Sequence, residues 1–244
     1  MKEVTALETG RAIPADNGFL LRIFYALAVL ALLSLLISVT GRWLGRSIAL
    51  AGHTEDTTVR EVVIGNNVLS VPSNVIRFER QRRDGIAERL DLYVRWPDMT
   101  GYSAAARGDF NHTDAERKVL FLTFEKQMMS RDMSGRFEPI YGSLIVKPGV
   151  PSQGGIVLYG FTEKSGYMNE VLAVAERSDG RPPFVARCLS GPEAEASLAP
   201  CERDVLIGDA LSLTYRFPKE LLPGWRALDA AVMTTARKYM GTSE

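Results

Sequence analysis

Nineteen residues, Ile23 to Gly41, run between Arg22 and Arg42 without a single charge. As a helix rising about 1.5 Å per residue, such a run is about 28 Å long, the thickness of a bilayer's hydrocarbon core. Only a helix or a closed barrel satisfies its own backbone in lipid, and this run is too continuous and too rich in Leu and Ala for a barrel strand. It is also too uniformly apolar for a soluble core helix, which keeps a polar side. The chain is therefore expected to divide into a tail (residues 1–18), a membrane helix with its interfacial anchor (19–45), a spacer (46–58) and one domain (59–244).

A cleaved signal peptide competes with a permanent anchor. Ala49-Leu50-Ala51 has the small-x-small pattern of a cleavage site. Against cleavage, the run exceeds the usual h-region of about 7–15 residues, and Arg42 and Arg46 lie between it and the supposed cut. The anchor reading implies the lipid bilayer as a partner. Ser34, Ser38, Gly41 and Gly45 fall near one side of the helix at spacings that let a second helix approach closely. Trp43, flanked by Arg42 and Arg46, suits the headgroup level. Basic residues precede the run (Lys2, Arg11, Arg22) as they follow it (Arg42, Arg46, Arg60), so charge bias does not orient it.

The cysteines add to the address. Cys188 and Cys201 are the only two, and they bracket a polar Pro- and Gly-containing loop. That spacing reads as a disulfide in an oxidising compartment, with two unrelated thiols as the alternative. A metal site is not expected, because no C-x-x-C pair or nearby histidine accompanies them. Anchor and disulfide together predict a single-pass protein of the inner (cytoplasmic) membrane, its short tail cytoplasmic and its C-terminal domain in the periplasm.

Removing the five basic and three acidic residues up to Arg46 leaves 24 basic against 26 acidic. No strongly basic face is implied, so nucleic acid is not an expected partner. Val59–Ile64, Gly65-Asn66-Asn67 and Val68–Val71 read as a hairpin. Ile86–Trp96 alternates as a half-buried strand, with Leu90, Leu92, Val94 and Trp96 on one side and Arg89, Asp91, Tyr93 and Arg95 on the other. Further strands are expected at 119–124, 140–146, 155–161, 171–176, 184–188 and 211–217. A short turn is expected at 114–118 behind Thr113. Trp225, Leu228, Val232, Ala236 and Tyr239 form the stripe of an amphipathic helix over 223–240, with Pro223 near its first turn. The expected fold class is α+β: the transmembrane helix, then an antiparallel sheet or sandwich with a C-terminal amphipathic helix on one side.

Catalytic patterns are sparse. His112, among Asp109, Asn111 and Asp114, is the only histidine inside the expected domain; it suits a general base or, more simply, a solvated loop. No G-x-S-x-G, H-E-x-x-H or phosphate-binding glycine loop occurs. Glu125, Glu138, Glu163 and Glu170 sit near strand ends, and nothing in the sequence pairs two of them as a glycosidase requires. No cofactor is expected. Arg77, Arg80, Arg82 and Arg83 form a basic cluster that could meet an anionic lipid, glycan or protein. With Trp96 and Asp98 it makes the candidate binding surface.

The segments VPSNVIRFE and LYVRWPDMTGY, through Val71, Pro72, Asn74, Ile76, Arg77, Leu92, Trp96, Pro97, Asp98, Gly101 and Tyr102, resemble uncharacterised single-pass, membrane-anchored proteins of alphaproteobacteria. The resemblance implies the same layout and no known activity. The functional expectation is a non-enzymatic accessory protein of the cell envelope that binds another envelope protein or itself. An anchored inhibitor or immunity-type protein is the first alternative, from size and address. An envelope hydrolase using His112 or a carboxylate pair is the second.

Overall fold

The computed structural model describes residues 17–50, 52–111 and 117–241, with side chains of the N-terminal helix described for 21–40. It separates into two units, Met1–Ala51 and Gly52–Glu244. In the first, one helix spans Asn17–Leu50, and Leu21–Thr40 has a mean hydropathy of 2.5 with none of it buried. By length and composition this helix can cross a membrane. It runs on through residues expected to belong to the spacer.

The second unit contains β1 (Val59–Ile64), β2 (Asn67–Pro72), β3 (Gly85–Ile86), β4 (Arg89–Arg95), β5 (Val119–Lys126) and β6 (Val150–Pro151). These are followed by β7 (Ile156–Gly160), β8 (Glu170–Ala175), β9 (Phe184–Leu189), β10 (Cys201–Ile207) and β11 (Leu211–Phe217), and the chain closes with a helix over Trp225–Tyr239. Two sheets form. The small one has the order β2-β1-β3; the large one, antiparallel throughout, has the order β4-β5-β11-β10-β9-β8-β7-β6. The architecture is α+β, as the patterning predicts.

Alternation along paired strands gives the large sheet two chemically different sides. Its inner side carries the cross-strand rows Leu90–Phe124–Leu213–Val205 and Leu92–Leu122–Tyr215–Arg203. The small sheet and the C-terminal helix close over these rows to make the main core. All five residues of the helix stripe, Trp225, Leu228, Val232, Ala236 and Tyr239, are buried there. The helix starts two residues after Pro223, which instead lies in a tight turn over Lys219–Gly224. The β1–β2 hairpin turns on Gly65 (φ +60°) and Asn66. Asn67 then ties the hairpin to the β10–β11 turn, donating to the Asp209 carbonyl at 2.8 Å and accepting its N–H at 2.9 Å.

Three expectations need correction. Residues 140–146 are not a strand: Phe137–Tyr141 and Gly142–Leu144 are helical. Tyr141 and Ile145, four apart, turn together onto Leu172, Val174 and Val185 on the outer side of β8 and β9, a helical spacing hidden in a β-branched run. The strand at 86–96 is interrupted between Ile86 and Arg89, and β4 is covered on both sides, because Asp91 and Tyr93 are buried as deeply as their apolar neighbours. β10 was not anticipated at all. The turn expected at 114–118 and the chemistry expected of His112 and Asp114 fall on or against residues 112–116, outside the described residues.

Candidate binding face

The segment Met133–Ile145 covers the outer side of the large sheet only over β8 and β9. Over β5, β11 and β10 no helix or strand among the described residues covers that side, and its residues, with those of β4 beside them, follow from register. One row reads Tyr93–Phe121–Arg216–Glu202–Arg187, and the next reads Asp91–Thr123–Thr214–Asp204. A third pairs Arg89 with Glu125 and Ser212. Two adjoining hollows of about 240 and 290 Å³ occupy this surface and share Glu125, Glu202 and Thr214 as walls. Together they form one groove, from Arg77 and Phe121 at one end to Tyr141 and Tyr167 at the other.

Each carboxylate on the floor has a guanidinium partner. Arg89 contacts Asp91 at 2.8 Å and Glu125 at 3.7 Å. Arg136 pairs with Asp204, and Arg187 pairs with Glu202 and lies 3.2 Å from Glu170. The Arg187–Glu170 contact is ionic only, because the angle at Nε does not make a hydrogen bond. Burial pushes the Asp91 carboxyl up, but hydrogen bonds from Arg89, Thr123 and Gln81, with the Arg89 charge, outweigh it and hold the group below the usual range. Burial pushes Glu170 up in spite of Arg187, with Glu202 adding repulsion. It pushes Asp204 up in the same way in spite of Arg136.

Aromatic rings set the guanidiniums in place. Arg77 and Arg216 both lie over the Phe121 ring, at 4.8 and 5.6 Å, and Arg187 lies over Tyr167 at 4.9 Å. A guanidinium stacked on a ring loses less freedom on meeting a ligand than a free one. Met128 and Met129, 88% and 58% exposed, stand at the rim, where flexible thioethers adapt to a partner's shape.

No family model and no curated protein matches the chain. Among solved structures, Smlt3025, an immunity protein of the Stenotrophomonas maltophilia type IV secretion system, is similar with a TM-score of 0.48 and 15% identity, over 77% of this chain and 95% of that one. The iron-regulated outer membrane lipoprotein FrpD of Neisseria meningitidis is similar with a TM-score of 0.43 and 10% identity, over 78% and 98%. At these levels of similarity neither protein's role transfers to this chain.

The sequence-derived surface does not gather into one place. Arg77 enters the groove. Arg80 lies over Phe78, and Arg83 borders a separate hollow beside β3. Arg82 is taken up by structure, donating to the carbonyls of Ile76 (3.1 Å) and Gly52 (2.7 Å). Asp98 pairs with Arg95, while Trp96 borders a different cleft of about 970 Å³ with Lys118 and Lys219. Ser34, Ser38, Gly41 and Gly45 all lie in the N-terminal helix. Cys188 and Cys201 form a buried disulfide at directly paired positions of β9 and β10. His53, placed in the spacer by sequence, is packed into the second unit. It stacks on Tyr102 at 4.6 Å and bonds Tyr93 Oη (3.0 Å) and Asn111 Oδ1 (3.2 Å). Of the four glutamates picked out by sequence, Glu125 lines the groove and Glu170 contacts its Arg187 from outside the lining; Glu138 and Glu163 are exposed elsewhere.

The groove residues that sequence reasoning missed are Phe121, Arg216, Arg187, Glu202 and Asp204. Their signal is alternation of charge within strands, visible only once the register places them side by side. Chemically, the floor presents fixed charges of both signs, and the described residues of its walls include no histidine or cysteine. Such a surface is suited to recognition by matched charge.

Proposed function

We propose that the protein is a membrane-tethered component of the cell envelope whose second unit binds a protein partner along the groove over β4, β5, β11 and β10. One observation carries this reading: among the described residues no layer covers the outer side of the central strands β5, β11 and β10, and that side is furnished with ring-stacked arginines and paired carboxylates. Uncovered central strands are normally buried against another layer, and alternating charge with aromatic and methionine edges is the composition of a protein-binding surface. The apolar helix and the disulfide support an envelope or secreted location. The permanent anchor, its periplasmic orientation and helix pairing through Ser34, Ser38, Gly41 and Gly45 belong to the same proposal.

The test is affinity capture of the full-length protein from mildly solubilised membranes, comparing wild type with Arg216→Glu and Phe121→Ala. A stoichiometric partner lost in both variants, with melting temperature unchanged, is the expected result. Equal capture by both variants would remove the groove from consideration. Mass analysis of the captured chain reads the anchor directly: an intact N-terminus agrees with it, and a mature chain starting at Gly52 overturns it. An inhibitor or immunity-type role is the narrower form of this reading, in which the captured partner is a toxin or an envelope enzyme and deletion lowers fitness beside sister cells.

A further inference from the structure

A second cleft, of about 430 Å³, lies on the other side of the large sheet, between the β8–β9 loop and the C-terminal helix. Its floor is unusual for a core, because it contains two guanidiniums and one carboxylate. Arg203, on the inner side of β10, has a side chain 5% exposed. It spends Nε on Asp229 (3.2 Å) and Nη1 on Ser134 Oγ (2.8 Å) and the Val185 carbonyl (2.9 Å). Its Nη2 has no protein partner among the described residues and is not sealed from the cleft. Arg177 gives one Nη to Asp229, and its Nε and other Nη are likewise unbonded and not sealed.

Two of the three aspartates are already engaged. Asp229 already accepts from Arg203, Arg177 and Tyr215 Oη (2.7 Å), and Asp179 pairs with Arg181. Arg177, Arg181, Arg203 and Arg226 stand against Asp132, Asp179 and Asp229 in the cleft lining, which leaves an excess of positive charge. Arg177 and Arg226 are aligned over the Trp225 ring, at 5.1 and 4.5 Å, and Arg203 over Phe184 at 4.9 Å. These forks are therefore oriented before any ligand arrives, which lowers the entropy lost on binding. Unbonded guanidinium donors at a partly buried floor, in a lining with an excess of positive charge, match an anion rich in acceptor oxygens.

We propose that this cleft binds a phosphate group, carried either by a free phosphate compound or by an anionic lipid headgroup. The proposal does not depend on the groove of the outer side. The test uses the full chain in nanodiscs and reads phenylglyoxal modification of individual arginines by mass spectrometry. In phosphatidylcholine discs, inorganic phosphate should protect Arg177 and Arg226 saturably, by at least fivefold, while chloride at equal ionic strength does not. Arg216, on the opposite side of the sheet, should stay unprotected. Arg226→Gln, at an exposed position whose one hydrogen bond to protein is 3.4 Å long, should raise the phosphate concentration for half-protection of Arg177 at least fivefold. Protection without added phosphate, seen in phosphatidylglycerol discs and absent in phosphatidylcholine discs, assigns the site to a lipid headgroup. No protection from either source overturns the proposal. So does equal protection of Arg216, or an unchanged half-protection concentration in Arg226→Gln.

Discussion

Asp229→Asn removes one charge from the centre of the inner network, and the structure says what is left behind. Asp229 sits on the C-terminal helix with 9% of its side chain exposed and accepts from Tyr215 and two arginines. Burial alone would push its carboxyl up; Arg203, the Tyr215 hydroxyl and Arg177 outweigh this and lower it. With asparagine, two guanidiniums face each other without a counter-ion, one of them nearly fully buried. Breaking a buried pair in this way costs about 3–5 kcal/mol, a large part of the roughly 5–15 kcal/mol that holds a domain together. At roughly 2–4 °C per kcal/mol for a domain of this size, the melting temperature should fall by about 6–20 °C. Because the folded pKa is depressed, the carboxylate's contribution is present above the unfolded value near 4 and is lost as pH falls through the folded value. The wild-type excess over Asp229→Asn should therefore be constant from pH 5 to 8 and shrink below pH 4. Near-UV circular dichroism of the full chain in detergent, followed with temperature at several pH values, measures both. A fall of less than about 2 °C at pH 7 would refute the argument, since it would mean that the arginines need no counter-ion.

Other substitutions test other parts of the fold. Glu170→Gln should have the opposite sign to Asp229→Asn. Its folded pKa is raised by burial, so stability is lost as pH rises from the unfolded value through the folded one, and the variant should melt no lower than wild type at pH 7, with its relative gain growing as pH rises from about 4. Replacing Cys188 and Cys201 by Ala opens a link of sequence separation 13 and should cost about 3 kcal/mol in the chain-entropy estimate, read by urea unfolding against the oxidised wild type. His53→Ala removes the stack on Tyr102 and two hydrogen bonds; about 1–2 kcal/mol should be lost, with new protease sensitivity near Gly52. Gly154→Ala should be the costliest loop change. Its φ is +72° and an added Cβ would lie 2.2 Å from the Pro223 carbonyl, so strain of about 1–3 kcal/mol adds to the displacement of the turn before Trp225.

What the sequence discloses follows from which side of each element is apolar. The helix stripe from Trp225 to Tyr239 is legible because one side meets a core and the other meets water. The N-terminal run is legible because it has no polar side at all. The β1–β2 hairpin is marked by Gly65, which takes the positive φ its turn needs, and by Asn66 after it. The failures share a cause. Residues 140–146 look like a strand by composition, yet only their tertiary partner, the outer side of β8 and β9, reveals a four-residue spacing. The Arg77–Arg83 cluster looks like one patch in the chain, but a tight turn at 79–81 sends Arg77 and Arg82 to different tasks.

β10 makes the case most sharply. Its sequence, CERDVLI, has three consecutive charged residues where a central strand should alternate with apolar ones. Glu202 and Asp204 point to the outer side, where charge is ordinary. Arg203 points inward, where a lone guanidinium would be prohibitive. It is tolerable only because Asp229, 26 positions later on another element, is brought to within 3.2 Å, and because Ser134 and the Val185 carbonyl take its other donors. None of these partners is adjacent in sequence, so the compensation cannot be read locally. An apolar residue at 203 would pack against Tyr215 and Phe184 and make a simpler strand, and replacing a buried ion pair by such residues is often stabilising. Arg203→Met combined with Asp229→Leu should then recover most of the stability lost in Asp229→Asn, with Arg177 left free to turn toward solvent. If the double variant is as stable as wild type, stability does not explain an arginine at this position, and the cleft it opens onto is the remaining structural reason. If the double variant fails to recover, the network itself is what fastens the C-terminal helix to the sheet.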